Sequence, residues 1–125
     1  MLRDAAIAPY IPVSDVNRAR TFYEQTLGFV PREQSAAGIL YQSGTGTVFF
    51  LYRSAGAGTS KASAAYWEVA DVDAEVADLR KRGVVFEEYD MPGLKTVNGI
   101  ATAEGSKAAW FKDTEGNILA IVQRL

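Results

Sequence analysis

The sequence has 125 residues, of which 48% are apolar and 22% are charged, enough for one compact domain with a buried core. It contains no histidine and no cysteine, which excludes disulfides, thiolate nucleophiles, catalytic imidazoles and the usual zinc ligands. The formal net charge is −2 and there is no basic run, so we expect no nucleic-acid partner.

Targeting and membrane signals are also missing from the sequence. No apolar stretch approaches the roughly 20 residues that cross a bilayer. The N-terminus lacks the charged and then apolar pattern of a secretory signal. We therefore expect no membrane partner and a cytoplasmic location, which the absence of cysteine fits.

The first half of the chain predicts the order strand, helix and then three strands. The helix, Asp15–Leu27, follows Ser14 as its N-cap and ends at Gly28. Pro9 and Pro12 indicate that the first strand lies at a sheet edge or carries a bulge, because proline cannot donate to the ladder. The predicted strands are Ala5–Val13, Phe29–Glu33, Ile39–Gln42 and Thr47–Arg53.

The second half predicts the same order of elements. Asp71 caps a helix that runs to Arg82 and ends at Gly83. The segment Tyr89–Gly105 is an insertion with two turn signals, Pro92-Gly93 and Asn98-Gly99. The predicted strands are Ala64–Ala70, Val84–Glu87, Lys107–Lys112 and Asn117–Gln123.

The two halves share an internal duplication. Asp15-Val16 recurs as Asp71-Val72 at an offset of 56, and Gly28 recurs as Gly83 at an offset of 55. We predict a single α+β domain over residues 1–125. It is made of two βαβββ repeats, about 5–53 and 64–123, with a linker at 54–63. Each four-stranded sheet carries its own helix on the convex face, and the concave faces form a cupped cavity.

Short motifs are spread along nearly the whole chain. They are Val13-Ser14-Asp15-Val16, Phe22-Tyr23, Leu27-Gly28-Phe29, Val69-Ala70-Asp71-Val72-Asp73 and Trp110-Phe111-Lys112-Asp113-Thr114-Glu115-Gly116-Asn117. Each motif is short, but in their order, spacing and duplication they resemble the vicinal oxygen chelate superfamily. That superfamily includes glyoxalase I, extradiol dioxygenases, fosfomycin-resistance enzymes and bleomycin-resistance proteins.

The resemblance implies where a metal-dependent relative would hold its ion, on the first and last strands of each half. The matching positions in this chain are Ala8, Phe50, Ala64 and Ala120. None of these side chains can bind a metal. The sequence therefore predicts a metal-free member of the superfamily that has no cofactor.

Strand alternation predicts what lines the cup instead of a metal. The lining is aromatic and aliphatic with few polar groups, as in a pocket for a flat or amphipathic organic ligand. Trp110 and Phe111 alternate, so one of them faces the cup, and the sequence leaves open which. The candidate ligand-binding residues are Tyr10, Phe50, Tyr52, Tyr66, Glu68 and Trp110.

Each candidate has a structural alternative. The tyrosines could instead be core or rim residues with a hydrated hydroxyl. Glu68 could be a general acid or base on an inward strand face. It could equally lie in solvent or pair with a lysine or arginine. The Tyr89–Gly105 insertion could be a lid over the cup or an ordinary surface excursion.

Two classes of function follow. In the first, the protein sequesters a small planar or amphipathic molecule without turnover, as the bleomycin-resistance proteins do. In the second, it is a cofactor-independent isomerase, lyase or hydrolase in which Glu68 and a tyrosine form an acid-base pair. A dimeric scaffold with a degenerate pocket is a third interpretation. The resemblance implies a homodimer and leaves open whether the halves pair within or between chains.

Overall fold

The computed structural model describes all 125 residues, and its first half forms one four-stranded sheet. Strand order in this sheet is β1-β4-β3-β2, with β1 and β4 parallel and the other pairs antiparallel. The strands are β1 (Tyr10–Val13), β2 (Val30–Ser35), β3 (Gly38–Ser43) and β4 (Thr47–Arg53).

The first strand is shorter than predicted and lies at the sheet edge. Residues 5–9 are not part of β1, and Leu2–Asp4 form a single 3-10 turn. Pro9 contributes only its carbonyl, which accepts a hydrogen bond from the amide of Phe50. The edge position that the prolines predicted is confirmed.

The first helix begins one residue later than predicted and changes character midway. The prediction that Ser14 is its N-cap was wrong, because the side chain of Asp15 accepts the capping hydrogen bond from the amide of Arg18. Helix α1 (Val16–Arg20) continues as a π-helical stretch (Thr21–Thr26). π-Helical turns are rare and are frequently found at functional sites.

The second half forms the second sheet, with strand order β5-β10-β9-β8. Helix α2 (Val72–Lys81) is capped by Asp71 as predicted. The linker enters at β5 (Ser63–Glu68), and a small hairpin, β6 (Asp90–Met91) and β7 (Leu94–Lys95), stands apart from the sheet. The other strands are β8 (Ile100–Ala103), β9 (Ser106–Lys112) and β10 (Ile118–Arg124).

The fourth strand of this sheet is not the predicted one. Val84–Glu87 form no strand, apart from an isolated bridge between Phe86 and Phe111, and β8 from the insertion pairs with β9 instead. Val84 and Phe86 are both buried while Val85 is exposed. The alternation of Val84–Glu87 therefore reflects packing against the core and not pairing in a ladder.

The core lies on the helix-bearing sides of both sheets. It is one cluster of 17 buried residues drawn from both halves, and Tyr23, Tyr41 and Phe111 are among its largest members. Neither helix is long and apolar enough to cross a membrane. The predicted α+β class and the two repeated units with one helix each are confirmed.

Candidate functional site

Three of the predicted ligand contacts come together on the face of the first sheet that points away from the core. Strand register places Tyr10 beside Phe50 and Pro12 beside Tyr52. The ring centroids of Tyr10 and Tyr52 are 4.3 Å apart, and those of Tyr10 and Phe50 are 5.5 Å apart. Leu40 joins them across β3. This aromatic patch is called face A below.

The second sheet carries an equivalent patch, called face B below. Register places Tyr66 and Trp110 on either side of Ala120. Phe111 is 1% exposed in the core, so Trp110 is the member of the pair that faces away from the core. Tyr89 and Trp110 pack edge to face, with ring centroids 5.6 Å apart. Tyr89 comes from the insertion and is not among the contacts predicted from the sequence.

Glu68 lies at the end of β5, where its carboxylate forms an ion pair with the guanidinium of Arg124. Both side chains are substantially exposed. An exposed pair of this kind contributes little stability. The pairing is the structural alternative that the sequence left open for Glu68.

The four positions that match a metal site do not fit a metal ion. Ala120 is 3% exposed between Tyr66 and Trp110 and offers only a methyl group. Ala8 lines a shallow apolar hollow with Tyr10 and Phe50. No group of three or more acidic, histidine or cysteine side chains is arranged to hold an ion. We therefore derive no chemistry through a metal.

The aromatic rings through which the two halves contact each other lie on the core side. The aromatic contacts between the halves are Phe22 with Phe111, and Trp67 with Phe29 and Phe49, and all of these rings belong to the core side. No aromatic pair or side-chain hydrogen bond joins a face A residue to a face B residue. Tyr10 and Tyr66 are 66% and 65% exposed.

The halves are joined by the turn between β9 and β10, called the clasp below (residues 113–117). The side chain of Glu115 is fully buried and accepts hydrogen bonds from the amides of Ser14 and Asp15, at 3.0 and 2.8 Å. Arg18 donates to it from Nε at 2.9 Å, and Thr114 from its hydroxyl at 2.8 Å. Burial alone would raise the pKa of Glu115, but these donors outweigh it and lower the pKa to about 2.

A second buried carboxylate organises the clasp. Asp113 accepts hydrogen bonds from the amides of Glu115 and Asn117 and from the hydroxyl of Tyr23. Asn117 in turn donates to the carbonyl of Pro12 at 2.7 Å. Burial first, and then the charge of Asp113, raises the pKa of Tyr23. Asp113 and Glu115 are buried although acidic residues are usually exposed, and no pattern in the sequence indicated this.

Comparison with solved structures supports the fold. A glyoxalase family protein from Enterococcus faecalis has a TM-score of 0.73 at 18% identity, covering 98% of this chain and 99% of the other. TnmS3, an antibiotic binding protein from Streptomyces sp. CB03234, has a TM-score of 0.67 at 24% identity, covering 98% of each chain. A glyoxalase/bleomycin resistance protein from the same Streptomyces has a TM-score of 0.64 at 25% identity, covering 90% and 94%.

Curated proteins and family models give a second comparison. No curated protein matches the chain. A family model, described as the glyoxalase/bleomycin resistance protein/dioxygenase superfamily, matches residues 5–121. This range includes both helices, the clasp and every strand except the last three residues of β10, which is nearly the whole chain. The chain therefore belongs to the glyoxalase/bleomycin resistance protein/dioxygenase superfamily.

Proposed function

We propose that this protein is a metal-free binder of a small, planar or amphipathic organic molecule, which it sequesters between faces A and B. The observation that carries the proposal is the pair of exposed aromatic faces at equivalent positions of the two repeats. Tyr10 pairs with Phe50 in the first sheet as Tyr66 pairs with Ala120 in the second. Exposed aromatic clusters on a monomer are typical of binding surfaces.

The chemistry of the two faces favours a flat ligand. Rings at Tyr10, Phe50 and Tyr52 offer stacking surfaces on one side, and Trp110 with Tyr89 offers them on the other. Hydroxyls of the tyrosines and the ion pair at the end of β5 supply polar contacts at the rim. Alanine at position 120 leaves space between Tyr66 and Trp110.

We further propose that the cup is formed between two copies of the chain. No aromatic pair or side-chain hydrogen bond joins the two faces within one chain, and each face leaves a tyrosine about two-thirds exposed. A homodimer that places face A of one copy against face B of the other buries both. Two equivalent cups result, because a twofold axis repeats the contact.

TnmS3 supports the ligand class, since its name describes an antibiotic binding protein and it covers 98% of this chain. The absence of histidine and cysteine from the sequence is consistent with binding that needs neither metal nor nucleophile. Cysteine-free composition also fits the cytoplasm, the location that we propose.

The enzyme alternative depended on Glu68 as a general acid or base. That carboxylate is engaged by Arg124, and no buried tyrosine hydroxyl stands beside it. Tyr66 lies two residues away on the same face but is largely exposed. No observation favours turnover over simple binding, so we propose binding alone.

The experiment uses Nile red, a flat uncharged dye whose fluorescence rises in an apolar pocket. We expect a saturable rise with the wild-type protein. Phe50→Ala on face A and Trp110→Ala on face B should each weaken binding at least about fivefold, since each removes a stacking ring worth about 1 kcal/mol or more. Val85→Ala, at an apolar residue 79% exposed outside both faces, is the matched control. Unsaturable binding, or equal affinity in all four proteins, would overturn the proposal.

A further inference from the structure

The duplication gives the molecule two equivalent junctions between its halves. Register shows the equivalence, because Gln42 pairs with Val48 as Lys112 pairs with Ile118, an offset of 70. The turn at residues 43–46 is thus the counterpart of the clasp. Helix α2 is the counterpart of α1 at the offset of 56.

The two junctions are filled differently. In the first, the hydroxyl of Tyr23, in the π-helical stretch that continues α1, donates to Asp113 in the clasp at 2.7 Å. Their counterparts in the second junction are Leu79 on α2 and Ser43 at the end of β3, and both side chains are smaller. Ser43 instead accepts a hydrogen bond of 3.0 Å from the indole nitrogen of Trp67. The second junction therefore lacks the phenol and the carboxylate that close the first.

Beside Leu79, the counterpart of Tyr23, lies a cavity of about 160 Å³ that opens to solvent. Seven of its eight lining residues are apolar, and they come from both halves of the chain. Phe29 and Trp67 stack along its wall with ring centroids 5.4 Å apart and planes at 26°. A dry apolar cavity of about 150 Å³ accommodates one benzene ring in another protein.

Glu75 is the one polar residue that lines this cavity. It lies one helical turn before Leu79 on α2, and its exposed carboxylate takes part in no ion pair or hydrogen bond. We propose that the cavity binds a small organic cation made of one aromatic ring and a protonated amine. The ring packs beside Trp67 and Phe29, and the ammonium group meets Glu75.

This site is separate from the proposed cup. Trp67 is on the core side of β5, while its neighbour Tyr66 is on face B. The cavity, at about 160 Å³, has room for about one aromatic ring and is too small for Nile red, the fused-ring dye that probes the cup. Binding at one site can therefore be tested while the other is altered.

The test uses benzylamine as the probe and benzyl alcohol as its neutral counterpart. In Trp110→Phe protein, Trp67 is the only tryptophan, so its fluorescence reports the cavity directly. We expect benzylamine to cause a saturable change in Trp67 fluorescence. Its affinity should be about two- to fivefold above that of benzyl alcohol, because its ammonium group forms an exposed charge pair with Glu75. Adding Glu75→Gln should abolish that preference. Adding Glu104→Gln, which removes an equal charge at the exposed turn before β9, should leave it unchanged.

Variants that fill the cavity distinguish binding in the cavity from binding in the cup. Leu79→Phe should abolish the response of Trp67, whereas Tyr66→Leu on face B should preserve it. Val69 lines the same cavity from the segment after β5. Val69→Leu also reduces the cavity volume and replaces Leu79→Phe in this test if that variant does not fold. An unsaturable response, a response that survives the filled cavity, or a preference for benzylamine that survives Glu75→Gln would overturn the proposal. Failure of the dye to bind the cup would leave these outcomes unaffected.

Discussion

The hydroxyl of Tyr23 donates a 2.7 Å hydrogen bond to Asp113, a residue 90 positions later in the chain, and both side chains are buried. Asp113 also accepts hydrogen bonds from the backbone amides of Glu115 and Asn117, and these bonds hold the conformation of the clasp. One carboxylate therefore fixes a turn of the second half and anchors it to the helix of the first. The relative placement of the two sheets depends on this contact.

Replacing Tyr23 by phenylalanine should destabilise the fold by about 2 kcal/mol, because a buried carboxylate loses a charge-assisted hydrogen bond. Urea unfolding of the two proteins, followed by circular dichroism, measures the difference. Tyr52→Phe is the control, since the Tyr52 hydroxyl takes part in no hydrogen bond within the chain. Equal losses in the two variants would contradict the role assigned to Asp113.

Stability should fall in acid because of Glu115. Its pKa is about 2 in the folded protein against an ordinary value of 4.5, so the folded state favours the ionised form. The contribution is fully present above about pH 4.5 and is lost as the pH falls towards 2. We expect it to be about 2 kcal/mol at neutral pH, because the half-exposed partner Arg18 is partly screened by solvent.

Glu115→Gln checks this assignment through a pH series of urea unfolding curves. The variant should be less stable than the wild type at pH 7, and the difference should shrink between pH 4.5 and 2. Glu104→Gln, at an exposed position, should show no such trend. If the difference in unfolding free energy between the wild type and Glu115→Gln stays constant with pH, the charge of Glu115 does not stabilise the fold.

Gly38 allows Phe50 to sit on face A. A Cβ at Gly38 would lie 2.0 Å from the carbonyl oxygen of Leu51 and 2.8 Å from the ring of Phe50, and the backbone φ is +152°. Gly38→Ala should therefore cost more than about 2 kcal/mol and weaken Nile red binding. Gly46→Ala, where φ is +81° and the space is open, should cost only about 1 kcal/mol. Similar losses in both would contradict the steric argument.

The metal-free account predicts the outcome of elemental analysis. Protein purified without chelators should carry well under one transition-metal ion per chain, because alanine and phenylalanine occupy the four positions of the site. Addition of Zn²⁺ or Mn²⁺ should leave the melting temperature unchanged, since a ligand that binds only the folded state would raise it. A stoichiometric, tightly bound metal would contradict the account.

Local patterns were enough to predict most of the fold. Thr47–Arg53 was predicted to the residue, and Asp71 was predicted as the cap of α2, because strand alternation and capping chemistry are readable within a short window. The strand predicted at Val84–Glu87 was wrong. Its alternating burial comes from contacts with the core, and the partner strand β8 lies in an insertion of weak pattern.

The candidate site could be predicted only in part. Strand alternation predicted that Tyr10, Phe50, Tyr52 and Tyr66 line the cup. Strand register places the first three on one sheet and Tyr66 on the other. Pairing of Glu68 with Arg124 and the burial of Glu115 depend on contacts 56 and about 100 residues apart in the chain. No local pattern encodes such contacts, so the clasp and the second cavity were visible only in the structure.

The most direct test of the dimeric cup combines two defective chains. One carries Phe50→Ala on face A, the other carries Trp110→Ala on face B, and each is given a different affinity tag so that the mixed dimer can be purified. If the cup forms between chains, the mixed dimer contains one cup with both faces intact and one with both altered. We predict that it binds Nile red with wild-type affinity at one site per dimer, half the wild-type number. Wild-type affinity at no site in the mixed dimer, or a protein that remains monomeric, would contradict the account.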